Sequence, residues 1–528
     1  MAVAIEASSG AAGLGQRGLG VLVLVISAKG KGAALAVRRC EEGRDGPDLG
    51  GPKAEERFPC TATVAGPDFV HRRMGSVDVV GGVALASIPS GIPDDDEEPP
   101  GFASIAHAME HHMPAHLEQM LARGEAPGAR GAACLIVDVL ASWAVPVASR
   151  CGVPVVGFWP AMLATFGVVA AIPELLSKGF ISDCGSPIST EGLNKDEAKA
   201  DLQIANNLRI VPEDLQLGTK ELLPWLVGCA ASQRSRFAFW LQILQRAKSL
   251  RCLLVNSFPG EAADVVSGQH GAPQDLRILQ VGPLLTDGLL DDPHELPAEN
   301  PSMWQADGSC MDWLDQQRAG SVIYVSFGSW VAPIGPVKIS ELAHGLEATG
   351  RPFLWVLKND PSWRAGLPSG YMETVAGRGK VVSWAPQGGV LAHEAVGCYL
   401  THCGWNSTLE AIQHGVRLLC YPVSGDQFIN SAFIVKMWEI GIRLRSTGRG
   451  DVKDYIERIL EGEDGRRLQE KMNELRERVA VGEARNFVMN YNMQGMAKTI
   501  PELFVMLEST KAKPYIGNFI ITVNTLSC

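Results

Sequence analysis

Short apolar runs bounded by glycine and proline recur along this chain, alternating with stretches whose apolar residues return every three or four positions. Val21 to Ile26 reads Val-Leu-Val-Leu-Val-Ile, which predicts a strand buried on both faces. It leads into the glycine-rich turn Ser27-Ala-Lys-Gly-Lys-Gly-Ala33 and then a predicted helix through Val37. The polar Gly/Pro-rich stretch Cys40 to Arg57 predicts a loop. Further strands are predicted at Cys134 to Val137, Val153 to Gly157 and Cys252 to Val255, with helical stretches such as Ala106 to Leu121 and Arg236 to Ala247 between them. A second alternation predicts strands at Val322 to Val325, Phe353 to Leu357, Val381 to Ser383, Tyr399 to Thr401 and Leu418 to Tyr421. Its helix Ile339 to Ala348 carries Ile339, Leu342, Ala343 and Leu346 on one face.

Strand-helix alternation predicts parallel sheets covered on both faces, and 528 residues exceed one ordinary core. The acidic, Pro-rich stretch Asp287 to Asp307 divides the two alternations. The expected fold is α/β, with two facing doubly wound (Rossmann-like) domains. The expected divisions are 1–286 (1–60 atypical), a linker 287–307, a second domain 308–495, and an atypical tail 496–528. Ligands of such sheets bind beyond the carboxyl ends of the strands, so the cleft between the domains is the expected site.

Composition narrows the class. Hydrophobic residues at 46% and charged residues at 20% describe a globular chain, and a net charge of −11 without a long Lys/Arg run disfavours a nucleic-acid partner, so none is expected. Twelve cysteines without paired CxxC spacing predict buried reduced thiols rather than a zinc site or a disulfide framework. The apolar runs Val21 to Ile26 and Ile516 to Val523 fall far short of the ~20 residues a membrane helix needs. The expectation is a cytoplasmic monomer with no membrane span and no metal.

The segment Thr401-His-Cys-Gly-Trp-Asn-Ser-Thr-Leu-Glu-Ala-Ile-Gln-His-Gly415 carries the most chemistry. A strand ends near Thr401, Gly404 permits a tight turn, and Ser407 is placed to cap a helix that stops at Gly415. Free N–H groups and the positive helix end then face a site for an anion such as a diphosphate, flanked by His402, Asn406 and Ser407. Ser407 and Glu410 also satisfy a capping box, in which both side chains only tie off the helix start.

Trp384-Ala-Pro-Gln387, Leu391-Ala-His393, Gly397, His402-Cys-Gly-Trp-Asn-Ser407, Glu410, Gly415-Val, Pro422 and Asp426-Gln427 closely resemble the signature box of plant UDP-dependent glycosyltransferases. The likeness extends through Ser326-Phe-Gly-Ser329, Asp312-Trp-Leu-Asp-Gln316, Gly282-Pro-Leu284 and Asn256-Ser-Phe258, over most of Thr61 to Glu483. The resemblance implies the two-domain GT-B architecture, with an acceptor-binding first domain and a UDP-sugar-binding second one. It implies that Trp384 stacks on uracil within the Trp384-Ala385 turn, that Gln387 lies beside the nucleoside, and that Glu410 accepts from the ribose hydroxyls. It further implies that Ser329, His402, Asn406 and Ser407, at the Gly404 turn, bind the diphosphate, and that Trp405, Asp426 and Gln427 bind the sugar. A terminal glutamine such as Gln427 accompanies glucose donors in that family, so the implied reaction moves glucose from UDP-glucose to a hydroxyl of a small lipophilic acceptor, with no further cofactor. Phe158-Trp-Pro-Ala161 and Ile105 to Met113 are the expected acceptor-side segments. Arg417 stands where the family has proline and reads as a solvent-facing edge position.

The catalytic end departs from the pattern. Family members use a histidine base after the first strand, oriented by an aspartate after a later one. Asp138, closing Cys134-Leu-Ile-Val-Asp138, matches the aspartate and also reads as an ordinary helix cap. No histidine precedes His71, and Lys31 occupies the base position. Lysine, with a reference pKa of ~10.4, accepts a proton near neutrality only if strongly desolvated. Three readings stay open: a slow or silent UDP-sugar-binding protein, an acceptor activated enough to need no base, or a functional protein whose first sixty residues differ from these. His71 reads as structural or acceptor-side. The cluster His107, Glu110, His111, His112 and His116, interrupted by Pro114, reads as a solvated helix face rather than a metal site.

Overall fold

The computed structural model describes residues 4–5, 21–26, 33–35, 60–73, 79–80, 83–93, 102–123, 132–186, 215, 233–258, 260–261, 276–283, 307–329, 331, 333–492 and 521–525. Val322–Ser326 is buried at every position, as a run without polar alternation requires, and it forms the centre of a six-stranded sheet. The spatial order is Gly379–Val382, Phe353–Val356, Val322–Ser326, Val396–Thr401, Arg417–Cys420, Gly441–Arg443. All neighbours are parallel. In chain order this is 3-2-1-4-5-6, the Rossmann arrangement, and the order reverses between Val322–Ser326 and Val396–Thr401. The helix Pro336–Thr349 covers one face through Ile339, Leu342, Ala343 and Leu346, the residues its sequence period selects.

The second large sheet has eight strands in the order Arg277–Gln280, Cys252–Val255, Val155–Trp159, Ala132–Asp138, Val21–Ile26, Cys60–Pro67, Val83–Ile88, Val79–Val80. Seven run parallel, and Val79–Val80 closes the edge as an antiparallel hairpin arm. Its order reverses between Val21–Ile26 and Ala132–Asp138, where Ile26 pairs with Val137. The carboxyl edges of the two sheets meet: Asn256, directly after Cys252–Val255, accepts a hydrogen bond from Trp405, directly beyond Val396–Thr401.

The expected helix through Val37 is replaced by the strand Ala33–Leu35, which joins Ile521–Thr525 and Ala4–Ile5 in a small antiparallel sheet. Apolar alanine and leucine fit either state, and the distant partner strand decides it. The stretch around Pro114 is two helices, Phe102–His111 and Met113–Arg123, so the proline sits in a first turn where its missing N–H costs nothing. The other predicted strands occur within three residues of their expected bounds. Most of the linker 287–307 and the loop Cys40 to Arg57 lie outside the described residues. Of Cys134, Cys151, Cys184, Cys252, Cys310, Cys398, Cys403 and Cys420, six are buried and none is in a disulfide.

Arg417 is not a solvent-facing edge residue. It is half-buried, and its guanidinium donates to the carbonyls of Ile459 (2.8 Å), Gly465 (3.2 Å) and Gly397 (3.1 Å). Ile459 lies in the last turn of one helix, where carbonyls lack intrahelical donors, and Gly465 lies in the first turn of the next, so the guanidinium ties the two together. Among the described residues, no helix is long and apolar enough to cross a membrane.

Candidate functional site

Four loops leave the carboxyl edge of the six-stranded sheet and converge on its point of strand reversal. The first is Ser326-Phe-Gly-Ser329. Lys358 donates to the Ser329 carbonyl at 2.7 Å and sits over the Trp363 ring, tying this loop to the neighbouring strand. The Ser329 hydroxyl is buried with no hydrogen-bond partner among the described residues. An orphaned buried hydroxyl is costly, and a ligand oxygen would satisfy it.

The second loop is the turn after Val396–Thr401. Its left-handed residue is Cys403 (φ 66°), not Gly404 (φ −62°). Thr401 Oγ1 accepts from the Cys403 N–H, and Asn430 Nδ2 donates to the Cys403 carbonyl at 2.9 Å, which holds the unfavourable backbone in place. Gly404 is needed for another reason. A Cβ there would lie 2.5 Å from His402 Nε2, and one on Gly328 would lie 2.7 Å from the same ring. The buried imidazole is sandwiched between two glycines at the mouth of the reversal point.

The helix Trp405–His414 follows. Its N-cap is Gly404 and no side chain caps it, so Ser407 lies inside the first turn rather than at the cap. The capping-box reading, which needs Ser407 at the cap, fails for the same reason, and Glu410 accepts from Gln387. The first N–H groups of this helix have no intrahelical acceptor and open towards His402 and the Ser329 loop, an arrangement suited to an anion. The helix stops at Gly415 (φ 71°) as its sequence predicts.

Trp384 and Ala385 lie on the third loop, after Gly379–Val382, and both are buried. The helix they introduce begins at Gln387. Gln387 Nε2 donates to Ser407 Oγ at 3.0 Å and to Glu410 Oε2 at 2.6 Å, while its Oε1 accepts from Tyr324 and Tyr399. The amide is thus satisfied within the protein.

The fourth loop, after Arg417–Cys420, carries Asp426 and Gln427. The Gln427 carbonyl accepts from the N–H groups of Val423 and Ser424, both at 2.9 Å, which orients its amide nitrogen. Asn430 Nδ2 also donates to Asp426 Oδ2 at 3.1 Å and so couples this loop to the Cys403 turn. Sequence reasoning passed over Asn430 and Lys358. The signal for Asn430 was its spacing of four from Asp426 on one helix.

Trp405, at the start of its helix, reaches across to the other sheet. Its indole N–H donates to the Asn256 carbonyl at 2.6 Å, and its ring lies nearly parallel to Phe258 (interplanar 13°), beside Trp438. Its side chain therefore bridges the two sheets. Asp138 ends its strand and caps the short helical turn Val139–Ala141 by accepting from the Leu140 N–H at 2.9 Å. Lys31 lies outside the described residues. Phe158 and Trp159 are fully buried, and the Trp159 indole donates to Met162 and Thr165, so this pair supports the first sheet instead of offering a surface. Glu110 forms a two-pronged ion pair with Arg246, and His71 is hydrogen-bonded to Ser87. Among the described residues no group of three or more His, Cys, Asp or Glu side chains is placed to hold a metal.

Two Rossmann-type sheets joined at their carboxyl edges constitute a GT-B fold, and an open helix start, an aromatic turn and a buried carboxylate gather at the reversal point of the second. Comparison with known proteins agrees. The family profile of UDP-glucoronosyl and UDP-glucosyl transferase matches residues 307–469. UDP-glycosyltransferase 82A1 of Arabidopsis thaliana is 41% identical over 433 residues, covering 79% of this chain and 88% of the relative. The DIMBOA UDP-glucosyltransferase BX8 of Zea mays is 36% identical over 368 residues, 67% of this chain and 72% of the relative. The crystal structure of Os79 from O. sativa in complex with UDP superposes with a TM-score of 0.65 at 24% identity, over 79% of this chain and 88% of that one. The chain belongs to the plant UDP-glycosyltransferases. It is a UDP-dependent hexosyltransferase, an enzyme class that moves a sugar from a UDP-sugar to a small acceptor.

Proposed function

We propose that this enzyme transfers glucose from UDP-glucose to a hydroxyl of a small lipophilic acceptor, phenolic, flavonoid or terpenoid, with inversion at the anomeric carbon, and that it works as a cytoplasmic monomer. The observation that carries the reading is the convergence of the unpartnered Ser329 hydroxyl, the His402 ring and the open helix start at Trp405 on the reversal point of the second sheet. In this reading Ser329, His402, Asn406, Ser407 and the N–H groups beyond Gly404 hold the diphosphate. Trp384 and Ala385 receive the uracil, Glu410 accepts from the ribose hydroxyls, and Gln387 lies behind it. Asp426, Gln427 and the Trp405 N–H address the sugar. Residues 308–495 are the donor domain and 1–286 the acceptor domain. The names of related proteins support glucose and aromatic acceptors: BX8 is a DIMBOA UDP-glucosyltransferase, and one solved neighbour is an anthocyanidin 3-O-glucosyltransferase.

The acceptor oxygen forms a bond to the anomeric carbon while the bond to the diphosphate breaks, UDP leaves with the electron pair, and the acceptor proton goes to a base. Donors already on the diphosphate side stabilise the leaving group without requiring a metal. Lys31 is proposed as that base with Asp138 as its orienting acid, because Ile26 pairs with Val137 and so brings the end of the first strand beside Asp138. A carboxylate near Lys31 favours its ammonium form, so proton removal is expected to be slow unless the acceptor hydroxyl is acidic. The test is UDP release from UDP-glucose, UDP-galactose and UDP-glucuronate over a panel of phenols and terpenoid alcohols, with the product anomer read by NMR. Glucosylation with inversion, reduced at least about tenfold by Lys31→Ala, is expected. UDP binding without turnover on any acceptor would establish the silent-binding alternative that the absent histidine favours. An unchanged donor preference in Gln427→His would remove glucose selection from Gln427.

A further inference from the structure

The buried groups behind Glu410 form a chain with a fixed direction. A carboxylate can only accept, so the Gln387 atom 2.6 Å from Glu410 Oε2 must be the amide nitrogen. The same nitrogen donates its second proton to Ser407 Oγ at 3.0 Å. Gln387 Oε1 therefore points the other way, where it accepts from the phenols of Tyr324 (3.3 Å) and Tyr399 (3.1 Å). These contacts use both amide protons and both lone pairs of the carbonyl, leaving nothing for a nucleoside. The two tyrosines are partners in the sheet register, on the strands Val322–Ser326 and Val396–Thr401 that flank the reversal point, with ring centroids 4.8 Å apart. All five side chains are almost fully buried. A flipped amide would set its oxygen against the carboxylate, so Glu410 selects the orientation, and the two phenols, donating to the amide oxygen, hold the amide in place.

We infer that Tyr324 and Tyr399 are positioning residues that act through Gln387 to orient Glu410 and Ser407, and that this chain sets the preference of the donor site for a ribonucleoside over a 2′-deoxyribonucleoside diphosphate. The inference rests on the reading of Glu410 as the ribose acceptor. The mechanism is geometric. The sheet register fixes the phenols, the phenols fix the amide, and the amide fixes one carboxylate oxygen on a different helix. Burial pushes the Tyr399 phenol up to about 12 and raises the Tyr324 phenol well above its usual value, so both remain donors throughout the working pH range. Without the hydroxyls, the Gln387 oxygen is buried and unsatisfied, so the amide loses the anchor at its far end and holds Glu410 and Ser407 less rigidly.

The test is calorimetric titration of UDP and of 2′-deoxy-UDP into the full chain, its Tyr324→Phe, Tyr399→Phe and double variants, and Glu410→Ala. The expected result is a wild-type preference for UDP of at least about tenfold, falling to within about threefold in the double phenylalanine variant and in Glu410→Ala, and lying between in the single variants. The single variants carry the test if the double variant does not fold. A preference that survives removal of both hydroxyls, while Glu410→Ala abolishes it, overturns the positioning role and leaves the ribose reading intact. A preference untouched by Glu410→Ala overturns the ribose reading and the inference with it. A drop in melting temperature without a change in the ratio of the two affinities marks the phenols as packing only and also overturns the inference.

Discussion

Replacing Arg417 by alanine removes a guanidinium that joins three separate pieces of backbone: the end of the helix Arg449–Leu460, the first turn of Gly462–Asn492, and the start of the strand Val396–Thr401. Hydrogen bonds from a charged donor contribute roughly 1.5–3 kcal/mol each to stability. Burial disfavours the guanidinium charge and pulls its pKa below the usual value, so part of that gain is offset. A net loss of about 2–4 kcal/mol follows, together with carbonyls deprived of their donor. For a unit of this size that lowers the melting temperature by about 5–15 °C. Arg417→Lys should lose most of the same amount, because one ammonium cannot span carbonyls on three elements. Arg417 begins its strand, whereas Asp426 and Gln427 lie beyond the other end, so KM for the UDP-sugar at 20 °C should stay within about twofold of wild type. Differential scanning fluorimetry paired with UDP-release kinetics measures both. A melting temperature within about 1 °C of wild type in Arg417→Ala would refute the stitching role and return Arg417 to an edge position of no consequence.

Ser329→Ala should separate function from stability: removing a buried unpartnered hydroxyl leaves the melting temperature of the free protein unchanged or higher, while UDP affinity falls about three- to tenfold in titration. Trp405→Phe keeps the ring against Phe258 but deprives the Asn256 carbonyl of its donor, so turnover should fall about tenfold with UDP affinity changed less than about threefold, as read by initial rates and calorimetry. Glu261, fully buried and bonded to the Leu163 and Ala164 N–H groups and to Ser257, has its carboxyl raised from 4.5 to about 7, mainly by burial. Its folded pKa exceeds the unfolded one, so the stability it contributes is complete below about pH 4.5 and is lost as pH rises through about 7, an effect of about 3 kcal/mol at most. Glu261→Gln should flatten the fall in melting temperature between pH 5 and 8, and an unchanged slope would assign that fall to other groups.

Nine strands of the two large sheets were legible because a fully buried parallel strand writes itself as an unbroken apolar run, as Val322–Ser326 and Val21–Ile26 do, whereas Cys60–Pro67, Val79–Val80, Val83–Ile88, Arg277–Gln280 and Gly441–Arg443 were not read as strands. The family signature was legible because it is local: Trp384 to Gln427 holds three of the four site loops, two helices and two strands in one continuous segment. What escaped was decided by distant partners. Arg417 reads as an edge residue until Ile459 and Gly465, more than forty positions later, fold back onto it. Gly404 reads as the turn residue, but the strained φ falls on Cys403, and the glycine exists to make room for His402. Gln387 reads as a ligand contact, yet the two tyrosines that occupy its carbonyl come from other strands. Ala33–Leu35 has no sequence mark separating strand from helix, and its pairing with Ile521–Thr525 settles the matter from almost five hundred residues away.

The central claim is that a UDP-sugar is held at the reversal point of the six-stranded sheet by Glu410 and the groups around it. Calorimetric titration of UDP into the wild-type chain and into folded Glu410→Ala tests this most directly. The expected result is one UDP bound per wild-type chain, with an affinity at least about tenfold weaker in the variant. No binding by the folded wild-type protein, or equal affinities in the two proteins, would contradict the account.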